Sequence, residues 1–416
     1  MIEKDLGSAK IHLLRVIHLY ECDLNLLLGL YMREMDQHCE DNHLLNQGSY
    51  GGRPGRRSID PVIVDVTQVE IAMITRKILV RFNNDATACF DRIMPHILSL
   101  CLRSYQMPPE FTGLLGDLLR YAKYAIKTAN GVSEDTYSHS ANSPVFGSGQ
   151  GSTVSATGWG KLVSIALDMH DKQRYGSQYS DPQGTFKTII GMLGVVDDNN
   201  ISNTGEKHES IEDVIKRTQN DAQLWNDILK STGGTLNLLK CFFQVITTTF
   251  TRNGAPVIAA HDESWYIDIV DRTDKSTQRV EAISVYTPYK SLGTIQGICT
   301  KQDDQFEVQL AKATRLTRAL ACSNVSAKCA FIHWNACFVA SIAFPLGVCH
   351  MTTTQLHDLQ KKYIPIVLNK MGFPRTYPQA IVFGPTTHGG IGSIDLRIEQ
   401  GIMIVTEILR TLRSPG

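Results

Sequence analysis

Two aspartate-containing segments constrain the fold of this chain most, because each one ends or interrupts a strand-forming run. Ile78 to Phe82 is apolar and rich in strand formers, and it ends in Asn83-Asn84-Asp85, which is typical of a strand entering a turn. Met192 to Val196 and Asn199 to Ser202 flank Asp197-Asp198 in the same way. We therefore predict a strand ending at Asp85 and a hairpin with Asp197-Asp198 at its tip.

Side by side in one sheet, these segments would bring together three carboxylates, the ligands that hard divalent cations prefer. Two magnesium ions held by Asp85, Asp197 and Asp198 would activate a hydroxyl nucleophile and stabilise a pyrophosphate leaving group. A glycine-rich turn, Gly147 to Ser152, lies between the two segments in the sequence. The combination points to nucleotidyl transfer, although any one such aspartate alone is more often ordinary turn chemistry or a solvated side chain.

Composition permits a large core: 43% of the 416 residues are hydrophobic and 20% are charged, which excludes bulk disorder. The net charge is zero, with 41 basic and 41 acidic residues, which argues mildly against nucleic-acid binding but leaves room for a locally positive groove. The ten cysteines include no CxxC pair and indicate reduced, mostly buried thiols. With the polar start Met1 to Asp5, this predicts an intracellular protein, nuclear or cytoplasmic and not secreted.

Local patterns predict several further elements. Apolar spacing predicts a helix over 8–36 and another after Asp60-Pro61, and Asp91 is placed at the start of the helix that follows it, as an N-cap. A long helix from Ser210 should stop at Gly233-Gly234, and a strand should follow over Cys241 to Ile246. Strands are expected within 256–290, and helices from about 304. Ala330 to Val348 is apolar but contains His333, Asn335 and Pro345, so we expect a buried helix rather than a membrane span.

In order along the chain, three motifs resemble those of reverse transcriptases of the non-LTR retrotransposon and group II intron type. Asp85-Ala86-Thr87-Ala88-Cys89-Phe90-Asp91 is similar to motif A, Gly147-Ser148-Gly149-Gln150-Gly151-Ser152 to motif B, and Val195-Val196-Asp197-Asp198 to motif C. Weaker similarities extend over nearly the whole chain. They are Arg15-Val16-Ile17 and Tyr50 to Arg56 (fingers motifs), Trp225 with Gly233 to Lys240 (motif D), Leu292-Gly293 (primer-grip turn), and Phe344 to Leu346 and Gly384 to Gly392 (after the palm).

The resemblance implies roles for individual residues. Asp85, Asp197 and Asp198 would bind two Mg²⁺ ions, with Mn²⁺ as an alternative. Phe90 would be the steric gate that rejects a ribose 2′-hydroxyl, and Gln150 and Gly151 would let the backbone approach the nucleotide and template. Lys240 would act near the pyrophosphate as a general acid. The best candidates for contacts to the triphosphate are Arg53 and Arg56.

Each of these roles has a plainer alternative. Phe90 could be a core aromatic, the motif B turn an ordinary glycine loop, Lys240 a solvated charge, and the arginines part of a flexible loop. Helix capping alone would explain Asp91. Val195 departs from the family pattern, which has an aromatic residue there, under the primer end. We expect neither an endonuclease domain before the fingers motifs nor an RNase H domain after the last helical region.

The resemblance implies an α+β right-hand polymerase with fingers at 1–76, palm at 77–293 and a thumb-like helical region at 294–416. The expected activity is RNA-directed DNA synthesis from dNTPs on an RNA template, extending a DNA or RNA primer, with no membrane partner; the sequence does not determine the oligomeric state. Two alternatives stay open: a catalytically silent, nucleic-acid-binding remnant of such a polymerase, and an RNA-dependent RNA polymerase.

Overall fold

The computed structural model describes residues 2–3, 14–15, 17–87, 89–128, 131–140, 145–206, 208–296 and 303–413, with the backbone alone for 2–3 and 14–15. The chain divides into two compact units, Met1–Ser284 and Val285–Gly416. Among the predicted features, residues 8–13 of the first helix, Val16 and Ala88 lie outside the described residues.

Unit 1 contains both helices and strands. Its helices are α1 (Cys22–Asp41), α2 (Asp60–Thr75), α3 (Cys89–Arg92), α4 (Pro95–Ser104), α5 (Pro109–Tyr121), α6 (Thr153–Asp171) and α7 (Ile211–Ser231). Its strands are β1 (Ile2–Glu3), β2 (Leu14–Arg15), β3 (Ile78–Asp85), β4 (Tyr124–Thr128), β5 (Gly131–Tyr137), β6 (Ser177–Ser180), β7 (Lys187–Ile190), β8 (Leu193–Val195), β9 (Asp198–Gly205), β10 (Phe242–Ile246), β11 (Thr248–Phe250), β12 (Pro256–Ile258), β13 (Tyr266–Val270) and β14 (Thr277–Glu281).

An antiparallel sheet of four strands, in the order β10-β3-β9-β8, forms the centre of unit 1. The predicted strand ending at Asp85, the hairpin around Asp197-Asp198 and the strand over 241–246 are all confirmed. On one face, Val80, Phe82 and Phe243 join a core that includes Trp159 of α6 and Trp225 of α7, all at most 1% exposed. Because side chains alternate across a strand, Leu79 and Arg81 lie on the other face.

Two local predictions in unit 1 are wrong. The first helix begins at Cys22, not at residue 8, and residues 17–20 are not helical. A long-range contact replaces the helix there, because His18 N–H donates to the Gln150 carbonyl at 2.6 Å. Asp91 does not cap the next helix: it lies inside α3, and α4 begins at Pro95 after an extended Met94. A residue before proline avoids the helical conformation, so the proline sets this boundary.

Unit 2 is mostly helical, as predicted for the chain after 304. Its elements are β15 (Tyr289–Ser291), β16 (Thr294–Gln296), α8 (Asp303–Cys322), α9 (Ala327–Ile332), α10 (Ala340–Ala343), α11 (Thr353–Lys370), α12 (Gln379–Val382) and α13 (Leu396–Arg413). Its core packs Phe338 on Tyr363, with ring centroids 4.0 Å apart, and on Trp334 at 4.8 Å. Leu292-Gly293 forms the predicted turn, with both residues at positive φ.

One helical stretch within the described residues, Ala327–Gly347, is long and apolar enough to cross a membrane, on length and composition alone. It runs through α9, a π-helical turn at His333–Val339, α10 and a final 3₁₀ turn. Trp334, Phe338, Ile342 and Leu346 are at most 1% exposed in the unit 2 core. Cys329, Ile332 and Cys337 of the same stretch are exposed, and 44% of its apolar window is buried, so the prediction of a buried helix holds for one face of the stretch only.

Helix makes up 49% and strand 18% of the structure, so the mixed α+β part of the fold prediction is confirmed. The unit boundary follows Ser284, which places the boundary predicted at 293/294 inside unit 2. The division into fingers, palm and thumb stays a prediction.

All nine cysteines in the described ranges are free thiols, but four of them, Cys22, Cys322, Cys329 and Cys337, are exposed.

A buried ion pair fixes the face of the sheet that carries Arg81. Arg81 Nη1 lies 2.6 Å from Asp65 Oδ2 of α2, and the two side chains are 3% and 1% exposed. Arg81 Nη2 also donates to Gln244 Oε1 of β10 at 2.8 Å. Burial raises the pKa of Asp65, and the Arg81 guanidinium opposes that rise.

We predict that Arg81→Met destabilises unit 1 by about 3–5 kcal/mol, because it leaves a buried carboxylate without its cation. Asp65→Leu combined with Arg81→Met should recover most of this loss. Urea unfolding followed by tryptophan fluorescence measures both changes. Arg279→Met is the matched control: it breaks the exposed Arg279–Asp268 pair and should cost under about 1 kcal/mol. Equal losses for the two single variants would contradict the prediction.

Candidate active site

The register between β3 and β9 brings the two aspartate segments together. Asp85 is directly opposite Asp198 across this antiparallel pair. Side chains in such a pair share one face of the sheet, with Cβ atoms about 4.5–5.5 Å apart. Asp197 lies in the two-residue loop between β8 and β9, and its carbonyl accepts a hydrogen bond from Ala86 N–H at 3.2 Å. The backbone positions of the three aspartates are therefore adjacent, but among the described residues their side chains do not form a three-residue metal cluster.

A cavity of about 780 Å³ opens beside these carboxylates. Asp85 and Asp197 line it together with Phe90, Gln150 and Lys240, so five of the predicted site residues face one space. Asp198, Gly151, Arg53 and Arg56 are not among its lining residues. The remaining wall includes aromatic and imidazole side chains: His18, Tyr124, Tyr137, His139 and Phe146.

Asp85 already has cationic and polar partners. Lys240 Nζ lies 3.2 Å from Asp85 Oδ2, and Asn237 Nδ2 donates to the same oxygen at 3.3 Å. Asn237 N–H also donates to the Asp85 carbonyl at 2.8 Å, which ties the segment before β10 to the end of β3. The lysine side chain is 66% exposed, so it is free to move away from the carboxylate.

The carboxylates influence one another electrostatically. The pKa of Asp198 is raised to about 6, first because the surrounding protein desolvates the carboxylate and then because Asp197 and Asp85 are negatively charged. The positive charge of Lys240 lowers this pKa and offsets part of the rise. Repulsion of this kind is expected wherever carboxylates lie near one another. The raised pKa marks this edge of the sheet as a candidate functional site.

These side chains offer the oxygen donors that magnesium prefers. Among the described residues, no three His, Cys, Asp or Glu side chains form a ready-made metal cage. Magnesium is usually held by one or two carboxylates, with water and substrate phosphates completing an octahedron. Asp85 and Asp197 both line the cavity, and Asp198 lies opposite Asp85. Together they supply such a partial set, and the residues present fit a hydrated Mg²⁺ ion.

The tip of the β8–β9 hairpin has a strained backbone. Val196 has φ 59°, a left-handed conformation that costs a β-branched residue about 1–3 kcal/mol. Trp159 Nε1–H donates to the Val196 carbonyl at 2.7 Å, and the Trp159 ring meets Phe90 edge-on, with centroids 6.3 Å apart. The sequence does not predict these contacts of Trp159, because the apolar spacing of α6 indicates only that this residue faces the core.

The motif B turn needs its glycines for packing within the protein. Gly149 and Gly151 have φ of 78° and 110°. A Cβ on Gly151 would lie 2.4 Å from the His18 carbonyl oxygen, and one on Gly149 would lie 2.3 Å from Tyr20 Oη. Ser152 then caps α6, its Oγ accepting from Val154 N–H at 3.2 Å. The glycines thus allow close approach of the segment 17–20, and approach of the turn to a nucleotide and template stays a prediction.

The two arginines predicted to contact a triphosphate are engaged in their own loop. Arg53 forms a bidentate ion pair with Glu40, in which Nε lies 2.7 Å from Oε1 and Nη2 lies 2.8 Å from Oε2. Its Nη1 donates to the carbonyls of Asn46 and Ser49. Arg56 donates to the Gln47 carbonyl at 2.5 Å and lies over the Tyr50 ring. Arg53 therefore has a structural role in this conformation, and contact of either arginine with phosphate stays a prediction.

An aromatic wall of the cavity was also missed by the sequence analysis. Tyr124 of β4 and Tyr137 of β5 are cross-strand partners, and their rings stack at 5.3 Å. His18 meets Tyr124 edge-on at 5.3 Å, and His139 does so at 6.0 Å. Three separate chain segments contribute to this wall, so no local sequence pattern could have predicted it.

No family model and no curated protein matches the chain. Similar solved structures include apo telomerase from Candida Tropicalis, at 12% identity over 84% of this chain and 50% of that chain, with a TM-score of 0.43. Another is telomerase from Candida albicans in complex with a TWJ fragment of telomeric RNA, at 12% identity over 95% of this chain and 57% of that chain, with a TM-score of 0.35. The chain spans about half the length of these telomerase chains. At such identities and TM-scores the likeness carries no argument about function.

We predict that Asp198→Asn stabilises the metal-free protein at pH 7 and has no effect near pH 4. A carboxylate whose pKa rises on folding favours the folded state only while it is protonated, so the wild type loses stability as pH rises from about 4 to about 6. The asparagine variant lacks this loss. Thermal unfolding of both proteins across this pH range measures the difference, and parallel curves would show that Asp198 is not under electrostatic strain.

Proposed function

We propose that this chain is an RNA-directed DNA polymerase that extends a primer with dNTPs by two-metal-ion nucleotidyl transfer. The observation that supports the proposal is the register that sets Asp85 opposite Asp198, together with a large cavity that Asp85 and Asp197 line. The same cavity is lined by Phe90 and Gln150, which belong to the motif A and motif B segments.

In this proposal Asp85, Asp197 and Asp198 would hold the cations, which would orient the reacting oxygens. Bound magnesium would supply Lewis-acid activation of the primer 3′-hydroxyl and neutralise charge on the pyrophosphate. Lys240, which pairs with Asp85 in this structure, would move towards the leaving group and donate a proton there. Its high exposure supports this movement.

Phe90 sets the choice of sugar in the proposed site. Its ring lies on the cavity wall and is backed edge-on by Trp159, so it cannot retreat easily from a ribose 2′-hydroxyl. The stacked Tyr124 and Tyr137 offer flat aromatic surface on another wall, of the kind that accommodates nucleobases. We assign the RNA template and primer to this cavity and its mouth.

The finer class follows from the motifs. The order and content of motifs A, B and C support a polymerase of the non-LTR retrotransposon and group II intron type, arranged as fingers, palm and thumb. Val195, the partner of Asp198 across the β8–β9 hairpin, has a smaller side chain than the aromatic residue of the family pattern. We expect weaker placement of the primer end as a result.

We predict that Asp197→Ala lowers DNA synthesis on a primed homopolymer RNA by roughly a thousandfold. Losing a metal ligand removes several kcal/mol of transition-state stabilisation, and each 1.4 kcal/mol is about a tenfold change in rate. Incorporation of labelled dNTP in the presence of Mg²⁺ measures this.

Asp262→Ala, in an exposed loop before β13, is the matched control and should retain wild-type activity. A wild-type protein that incorporates nothing, or an equally active Asp197→Ala variant, would refute the proposal. Salt-sensitive RNA binding without synthesis would indicate the silent nucleic-acid-binding alternative. Preferential use of ribonucleotides would indicate an RNA polymerase.

We predict that Phe90→Ala raises the relative use of ribonucleotides by roughly tenfold to a hundredfold, the range in which pocket shape discriminates a single hydroxyl. Phe90→Tyr keeps the bulk of the ring and should keep the preference for dNTPs. The ratio of kcat/KM for rNTP and dNTP is the measurement, and it cancels any loss of folded protein. An unchanged ratio in Phe90→Ala would remove the gate assignment.

A further inference from the structure

The backbone of Val196 is held in an unfavourable conformation from two sides. Val196 precedes Asp197 and is the first of the two loop residues between β8 and β9. On one side, the Gly51 backbone approaches so closely that a Cβ there would lie 2.8 Å from Val196 N. On the other side, the indole N–H of Trp159 donates to the Val196 carbonyl at 2.7 Å. A β-branched residue does not adopt this conformation without such contacts.

The carbonyl that Trp159 binds belongs to the peptide group joining Val196 to Asp197. Rotation of that peptide would turn Asp197 relative to the cavity and weaken its own carbonyl contact with Ala86 N–H, which is 3.2 Å long. The Trp159 side chain is 1% exposed and sits on α6, one of the helices of the core. The direction of the Asp197 side chain is thus linked to a rigid element.

We propose that Trp159 is a positioning residue, whose indole N–H holds the strained hairpin tip so that Asp197 faces the cation site. Trp159 also contacts the ring of Phe90, the proposed sugar gate, so one side chain contacts both the gate and the hairpin. The part of this inference that concerns cations rests on the proposed function, whereas the part that concerns the hairpin backbone does not.

The test combines three variants of the full chain: Trp159→Phe, Val196→Asn and the double variant. Trp159→Phe removes the donor and keeps an aromatic ring. Val196→Asn introduces a residue that tolerates the left-handed conformation, so the tip no longer needs the indole N–H. Mn²⁺ binding without nucleotide, followed by electron paramagnetic resonance, reads the cation site directly.

Trp159→Phe should weaken Mn²⁺ binding by about tenfold or more, as loss of a ligand-orienting partner does. Val196→Asn should stay near wild type, and the double variant should recover most of the affinity that Trp159→Phe loses. Wild-type affinity in Trp159→Phe, or a double variant as weak as Trp159→Phe, would overturn the inference, because either result means that Trp159 does not act through this carbonyl.

Trp225→Phe is the control for loss of a buried indole. Trp225 is fully buried on α7, and its N–H donates to Asn84 Oδ1 at 3.2 Å. Urea midpoints should show that Val196→Asn offsets part of the loss caused by Trp159→Phe, while its effect adds simply to that of Trp225→Phe. Additive effects in both pairs would overturn the hairpin inference.

Failure of the proposed function and failure of the inference about Trp159 give different experimental results. If the wild type neither binds Mn²⁺ that Asp197→Asn removes nor incorporates dNTP, the proposed function fails. The urea midpoints of the same variants then decide the role of Trp159 without any cation. If Mn²⁺ binds and the midpoints are additive, the proposed function stands and Trp159 is only a core residue.

Discussion

The pairing of β3 with β9 is the constraint on which the candidate site depends. Side chains alternate across a strand, so a slip of one residue would move Asp198 to the opposite face from Asp85. Val80 and Phe82 prevent the slip, because both would leave the core if β3 shifted. On the other face, Arg81 would lose its ion pair with Asp65. Ordinary packing thus holds an arrangement of like charges that repel one another.

The site is assembled from segments far apart in the chain, each held by backbone contacts. The hairpin tip is bound by Ala86 N–H and by the indole of Trp159, and Asn237 is bound to the end of β3. The motif B turn is packed against His18. Preorganisation of this kind lets charged groups stay in place at the cost of strain, which is seen here at Val196.

Elements with strong local signals were predictable from the sequence. The strand before Asp85, the hairpin at Asp197 and the helix capped by Ser210 all follow from short patterns. Features made by distant segments were not predictable. The helix expected from residue 8 gives way to the contact between His18 and the motif B turn, and the roles of Trp159 and of the Tyr124 wall depend on tertiary packing. For the same reason, no pattern near Arg53 reveals its ion pair with Glu40.

The glycine-rich loop after α1 has a consequence for association of the protein with itself. Tyr50 N–H donates to the Gly194 carbonyl, and Gly194 N–H donates to the Gly48 carbonyl, each at 2.8 Å. These bonds occupy the outer edge of β8, which would otherwise present unpaired groups to another chain. A Cβ on Gly48 would lie 2.2 Å from the Met192 carbonyl oxygen, so a larger residue there would force the loop off this edge. A loop whose composition suggests flexibility therefore covers the β8 edge of the sheet, where another chain could otherwise pair.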